Sequence, residues 1–152
     1  MTLLAIDPGT EVSGWAELMN DRTIHASGVS DNHDVLMMIQ GWYDELAIEM
    51  FAAQGMPVGR ESFRTVRWIG RFQQAYYKPE NVHFVERREV QLHLCGTTQA
   101  KDPNIRQALI DLFGPPGRKS DPGPTYGVTK HAWAALGVAA TVRKLERKDT
   151  TT

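Results

Sequence analysis

The sequence predicts an α/β domain with a five-stranded mixed sheet and helices on both faces. Three short apolar strands come first, two later apolar runs each follow a helical segment, and two further helices close the chain. Because short turns join the first three strands, these should form an antiparallel meander. A strand that follows a helix should instead run parallel to the strand before it. Several helices with apolar faces then cover both sides of one sheet.

The first predicted strand, residues 2–7, ends on a carboxylate, Asp7, directly before a Pro8-Gly9 turn. Gly9 is expected to supply an unusual backbone conformation there. A carboxylate at the end of a central strand is costly to bury unless it is paired, hydrogen-bonded or bound to a metal. Asp7 is therefore the first candidate functional residue.

The remaining elements follow from periodicity and turn signals. The helix at 60–77 is the clearest, with an arginine stripe opposite an apolar face, and the helix at 102–113 should begin with Asp102 as its N-cap. Glu49 lies near the end of the strand at 46–51. In order, the other predictions are strands at 12–19 and 23–29 joined by Asn20-Asp21, a helix at 33–45 that includes Trp42, a strand at 82–86, a Gly/Pro-rich loop at 114–127 and a helix at 129–146.

The composition predicts one domain over residues 1–147 and a disordered tail at 148–152. The sequence contains no apolar stretch of membrane-spanning length and no leader pattern, and one cysteine, Cys95, suits a reducing, cytoplasmic setting. The formal charge is -1, but residues 1–56 hold nine Asp and Glu against one Arg, and the rest of the chain is basic. This asymmetry suits a metal-dependent enzyme that acts on a polyanion, and a chance distribution explains it equally well.

Asp7 and Glu49 should converge if their strands are neighbours. Two close carboxylates need a cation or a shared proton, and small oxygen clusters suit Mg²⁺ or Mn²⁺. Two such ions about 4 Å apart can drive phosphodiester hydrolysis. The alternative is structural: Asp7 caps a turn and Glu49 forms an ion pair.

Four blocks of sequence resemble RuvC-type Holliday junction resolvases of the ribonuclease H-like superfamily. Their amino-acid sequence is most similar to that of phage-type members. AIDPGTEVSGW resembles their first motif, and LAIEMF resembles their second acidic strand. VHFVERREVQLHLCG with KDPNIRQALIDLFG resembles the next strand and helix, and HAWAALGVA resembles the last helix. The resemblance spans residues 3–145 and implies a ribonuclease H-like fold.

The resemblance implies that Asp7, Glu49 and His131 are catalytic metal ligands for Mg²⁺ or Mn²⁺, with two ions per subunit. Ala134 departs from the pattern, because the family usually has an aspartate there. Either three protein ligands suffice, or an aspartate was replaced to make an inactive protein. Asp121 is a weaker substitute ligand. Without the resemblance, the favoured interpretation of His131 is an ordinary polar residue in a first helical turn, and the resemblance reverses this preference.

The implied activity is that of a crossover junction endodeoxyribonuclease, a homodimer that resolves four-way junctions by paired symmetric nicks. Basic side chains are candidates for DNA contact, although an exposed arginine stripe is often only a solvated face. Apolar side chains near the site are candidates for a wedge that opens the junction, or they fill the core. The DNA candidates are Arg60, Arg64, Arg67, Arg71, Arg87, Arg88, Lys119 and Lys130, and the wedge candidates are Phe51, Met56 and Phe63.

Two other functions fit the sequence. Ala134 favours a protein that binds junctions without cleaving them. The run Asp7-Pro8-Gly9-Thr10 also fits the Asp-x-Gly-Thr pattern of actin-like and sugar-kinase-like ATPases, although those proteins need two domains of this size to enclose a nucleotide. Under the main hypothesis we expect branched DNA and a second copy of the chain as partners, with no nucleotide cofactor and no membrane.

Overall fold

A computed structural model describes residues 1–19 and 22–147. Its main sheet has the strand order β3-β2-β1-β4-β5, and five helices surround it. The elements are β1 (Leu3–Asp7), β2 (Val12–Leu18), β3 (Ile24–Asp31), α1 (Asn32–Ile39), β4 (Glu45–Met50), α2 (Arg60–Ala75), a 3₁₀ turn (Pro79–Asn81), β5 (His83–Glu86), α3 (Arg87–Cys95), α4 (Asp102–Phe113), β6 (Gly117–Arg118), β7 (Asp121–Pro122) and α5 (His131–Val142).

The sheet is mixed, as predicted. Strands β1, β2 and β3 form the antiparallel meander, while β1, β4 and β5 run parallel. Helices α1 and α2 supply the long connections that parallel neighbours require. In the ladder Ile6 pairs with Ile48, and Asp7 pairs with Gly14. The carboxyl ends of β1 and β4 therefore lie side by side.

Alternation along the strands divides the core between the two faces of the sheet. Leu4 and Ile6 pack with α1 and α2, including Phe72. Leu3 and Ala5 pack with α3, α4 and α5, including Leu136. The prediction of helices on both faces is confirmed. By the same alternation, Asp7 follows Leu3 and Ala5 onto the α5 face of the sheet.

The predicted helix at 33–45 is wrong in its second half. Helix α1 ends at Ile39, and Trp42, whose spacing suggested a core position, is fully exposed. The segment after α1 joins the sheet instead of continuing the helix. Thr2 N donates to the Asp44 carboxylate at 2.8 Å, and Glu45 already pairs with Leu3. Sheet pairing overrides the local helical spacing.

In the second half of the chain, the sequence pattern did not predict helix α3 and misplaced the N-cap of helix α4. Helix α3 begins directly after β5, and the Glu86 N–H donates to the Glu89 side chain at 2.7 Å. The N-cap of α4 is Lys101, so Asp102 is not the cap but the first helical residue. The loop at 114–127 contains the two-stranded β6–β7 ribbon.

Smaller differences concern element ends, which shift by one to four residues, as at α2 and α5. The predicted Asn20-Asp21 turn and the tail at 148–152 lie outside the described residues. In the part of the chain that the structure describes, no helix is long and apolar enough to cross a bilayer.

Candidate active site

Asp7 and Glu49 meet at the carboxyl ends of β1 and β4. The two carboxyl groups are within hydrogen-bonding reach of each other. Burial raises the pKa of both, and the proximity of Asp7 contributes to raising the pKa of Glu49 to about 8. The Arg87 guanidinium opposes this and lowers both pKa values. At neutral pH the pair therefore holds one proton, whereas two separated carboxylates would hold none. A bound cation could replace that proton.

His131 joins this pair from the first turn of α5. Its Nδ1 lies 2.9 Å from Asp7 Oδ2. The Asp7 side chain is 14% exposed and that of His131 is 65% exposed, so the histidine lies on the solvent side of the site. This hydrogen bond fixes one ring nitrogen and leaves Nε2 directed elsewhere.

Gly14 determines how closely α5 approaches the sheet. It pairs with Asp7 in the β1–β2 ladder, and a Cβ at this position would lie 2.3 Å from the backbone C and O of His131. Such a contact is far shorter than van der Waals distance. Only glycine therefore allows the start of α5 to lie against β2 with His131 beside Asp7.

The turn that follows Asp7 is held by a buried polar network. Ser13 Oγ donates to Asn32 Oδ1 at 2.6 Å, and Asn32 Nδ2 donates to the Gly9 carbonyl at 3.0 Å. Gly9 does not have the positive φ that the sequence suggested. It is required for space instead, because a Cβ there would lie 2.3 Å from the Val12 carbonyl oxygen.

The carboxylate pair fits a Mg²⁺ or Mn²⁺ ion. Such ions prefer oxygen ligands and are commonly held by one or two carboxylates together with water and substrate phosphate. The mutual repulsion of Asp7 and Glu49 is what a divalent cation would relieve. Within residues 1–19 and 22–147, no three Asp, Glu, His or Cys side chains form a complete ligand set by themselves. Any ion here would depend on water or substrate oxygens.

Ala134 faces this site. It lines the same groove as Asp7, Glu49 and His131, and it offers only a methyl group. Asp121, the weaker substitute ligand, lies on β7 of the ribbon and is not among the residues that line this groove. The structure thus gives Asp121 no place beside the carboxylate pair.

Two grooves meet at the carboxylate pair, and Asp7, Glu49 and Arg87 line both of them. The first groove, of about 660 Å³, runs between α2 and α3 and is bordered by the segment after β4. The second, of about 670 Å³, runs between α4 and the start of α5. An extended chain that passes from one groove to the other must cross these three side chains.

The structure places the predicted DNA contacts in different regions. Arg88 lines the first groove and Lys130 lines the second. Lys119 lies between β6 and β7, outside both grooves. The helix α2 stripe is exposed as predicted, but Arg71 stacks on Trp68 at 4.1 Å. Three of the stripe's arginines surround a shallow depression with Phe63: Arg60, Arg64 and Arg67.

The wedge candidates are all exposed, so none fills the core. Met56 is 70% and Phe51 is 40% exposed, and both line the first groove. Phe63 is 66% exposed but lies apart, in the depression among the arginines of α2. Two of the three candidates therefore lie next to the carboxylate pair.

Asp102 and Arg106 also line the second groove, and sequence reasoning gave neither a functional role. Asp102 forms an ion pair with Arg87. Arg106, one turn further along α4, lies 5.1 Å above the ring of Trp133. The i, i+4 spacing of Asp102 and Arg106 on one helix face was the available signal. In the first groove, five polar side chains were also missed: Gln54, Ser62, Thr65, Gln91 and Thr98.

The sheet order, its mixed polarity and the helices on both faces define a ribonuclease H-like α/β fold, as predicted. Among solved structures, the chain is similar to RuvC of Thermus thermophilus, with a TM-score of 0.68 and 16% sequence identity over 95% of this chain and 94% of that one. It is also similar to T. thermophilus RuvC in complex with a Holliday junction substrate, with a TM-score of 0.67 and 16% identity over 93% and 92% of the two chains. No family model and no curated protein matches the sequence. The RuvC-like fold inferred from the sequence motifs is confirmed.

Proposed function

We propose that this chain is a metal-dependent endonuclease that resolves four-way DNA junctions by paired symmetric nicks. One observation carries the proposal: Asp7, Glu49 and His131 meet at the carboxyl end of a RuvC-like sheet, where two grooves join. The similar T. thermophilus protein has been solved with a Holliday junction substrate. Cations around the same point suit a phosphate backbone, namely Arg87, Arg88, Arg106 and Lys130.

In this proposal Asp7 and Glu49 would hold Mg²⁺ or Mn²⁺. When bound, the ion would lower the pKa of water and neutralise charge on the phosphate. His131, oriented by its hydrogen bond to Asp7, can move a proton through its outward nitrogen. A water oxygen bonds to phosphorus, the P–O3′ bond breaks, and the 3′ oxygen takes a proton. The products are a 5′-phosphate and a 3′-hydroxyl.

A homodimer is part of the proposal, because a twofold junction needs two symmetric cuts. Helix α2 offers an exposed face for this contact or for DNA, with Phe63 among three arginines. Phe51 and Met56, at the rim of the first groove, are the proposed wedge. Lys119 and Arg71 remain predicted backbone contacts.

The test is cleavage of a labelled four-way junction in Mg²⁺ and in Mn²⁺, with linear duplex of the same sequence and EDTA as controls. We expect paired nicks in the junction only, and light scattering should show a dimer. Cleavage in EDTA, or equal cleavage of the linear duplex, would overturn the proposal.

Ala134 favours a second candidate, a protein that binds junctions without cleaving them. This function predicts junction binding in EDTA, no cleavage in either metal, and cleavage gained by Ala134→Asp. Cleavage by the unaltered chain would exclude it. The ATPase alternative and the similarity to phage-type members both stay predictions.

A further inference from the structure

We propose that Arg87, positioned by Asp102, takes the place of a second metal ion at this site. The inference rests on the proposed nuclease function and concerns which group supplies positive charge to the scissile phosphate. Two-ion sites stabilise both the attacking and the leaving oxygen of a phosphodiester. With Ala134 in the groove, α5 offers only His131 toward a second ion, and the Nδ1 atom of that histidine already pairs with Asp7. A fixed guanidinium can supply the missing positive charge.

The position of Arg87 supports this role. Among the residues that the structure describes, it is the only basic one that lines both grooves, and it shares that position with Asp7 and Glu49. Its charge acts on both carboxyl groups. A phosphate in either groove therefore lies beside Arg87, and the guanidinium N–H groups that Asp102 does not engage are suited to phosphate oxygens.

Asp102 holds Arg87 in this position. The Arg87 Nη2 group pairs with Asp102 Oδ1 across the gap between α3 and α4. Asp102 has no capping role, because Lys101 is the N-cap of α4. The Lys101 N–H donates to Asn104 Oδ1 at 2.9 Å. Asp102 is 84% exposed and therefore contributes little to folding stability through this pair. We assign it as a positioning residue that acts through Arg87.

The first experiment counts Mn²⁺ ions by electron paramagnetic resonance, without reference to activity. We expect the unaltered chain to bind one Mn²⁺ per subunit and Ala134→Asp to bind two. Arg87→Gln should bind Mn²⁺ several-fold more tightly, because a neighbouring positive charge has been removed. Asp102→Asn should bind it more weakly, because a negative charge has been removed. Two Mn²⁺ of similar affinity in the unaltered chain would overturn the proposal.

The second experiment separates kcat from junction affinity. Removing one preorganised protein group that stabilises charge in the transition state typically lowers kcat by about 10²- to 10³-fold. We expect a loss of this size in kcat for Arg87→Gln, far larger than its loss of junction affinity, and a loss in kcat of about tenfold for Asp102→Asn. The Asp102→Asn loss should vanish in the Arg87→Gln background, since Asp102 acts only through Arg87. Lys78→Gln, on the residue before the 3₁₀ turn, is the control.

Other outcomes are equally informative. If Arg87→Gln weakens junction binding and leaves kcat unchanged, Arg87 is only a backbone contact and the inference fails while the nuclease function stands. If the two losses add in the double variant, Asp102 does not act through Arg87. If the unaltered chain does not cleave, the nuclease function itself fails, and the inference with it.

Discussion

The two halves of the candidate site are built differently. Asp7 and Glu49 lie on adjacent parallel strands, and the β1–β4 ladder fixes their separation. His131 and Ala134 lie on α5, whose position depends on its close approach to Gly14. The strand half is the less exposed and carries both carboxylates, whereas the helix half is more exposed at His131 and offers only a methyl group at Ala134. The sheet thus fixes the charge, and the helix is where the chemistry of the site can vary.

The largest effect should come from the strand half. Asp7→Asn removes one of the two carboxylates proposed to hold the metal, and we expect cleavage to fall by at least about 10³-fold while junction binding persists. Single-turnover cleavage and fluorescence anisotropy measure the two quantities. Asp34→Asn, on the exposed first turn of α1, is the control. Full activity in Asp7→Asn would show that the strand half is not the catalytic half.

The strand half should also make stability depend on pH when no metal is present. Burial raises the pKa of Glu49 from 4.5 to about 8, so between these values the folded chain binds a proton that the unfolded chain does not. Stability should therefore fall as pH rises from about 5 to 8, by about 3 kcal/mol in order of magnitude. Urea unfolding in EDTA measures this.

Two variations on that measurement test its cause. Glu49→Gln should flatten the dependence, and Mg²⁺ should restore stability at pH 8, because an ion that binds only the folded chain stabilises it. A rise in stability over this pH range in the unaltered, metal-free chain would contradict the assignment.

The helix half should respond to the space at Gly14. Gly14→Ala forces a Cβ into the His131 backbone, and we expect a loss of about 1–3 kcal/mol in the free energy of unfolding. The resulting shift of His131 should lower cleavage by about 10²-fold. Gly70→Ala is the matched control, because its Cβ would meet no atom within 4 Å and alanine favours a helix. Equal stability of the two variants would show that α5 does not rest on Gly14.

The smallest effect concerns the exposed arginines of α2, outside both halves. If Arg67 contacts a phosphate, Arg67→Ala should reduce the slope of log K against log salt by about one. Lys78→Ala, beyond the end of the helix, should leave the slope unchanged. Equal slopes for the unaltered chain, Arg67→Ala and Lys78→Ala would indicate that the arginine stripe of α2 is a solvated face.

The strand half was predictable from the sequence and much of the rest was not. Asp7 and Glu49 each interrupt an apolar run, and local alternation with the order of elements is enough to bring them together. His131 was identified only through the family resemblance, since nothing local separates it from an ordinary helix residue. Asp102 meets Arg87 across 15 positions of sequence, and local periodicity contains no information on such a contact. Trp42 shows the opposite failure, because a helical spacing was overridden by pairing in β4.

The Ser13–Asn32 network has a consequence for the thermodynamics of substrate binding. It holds the backbone beyond Asp7 through two side chains that are almost completely buried. The conformational entropy of this turn is therefore lost when the chain folds, and none remains to be lost when a substrate arrives. Association at the carboxylate pair should therefore need no ordering step in this segment.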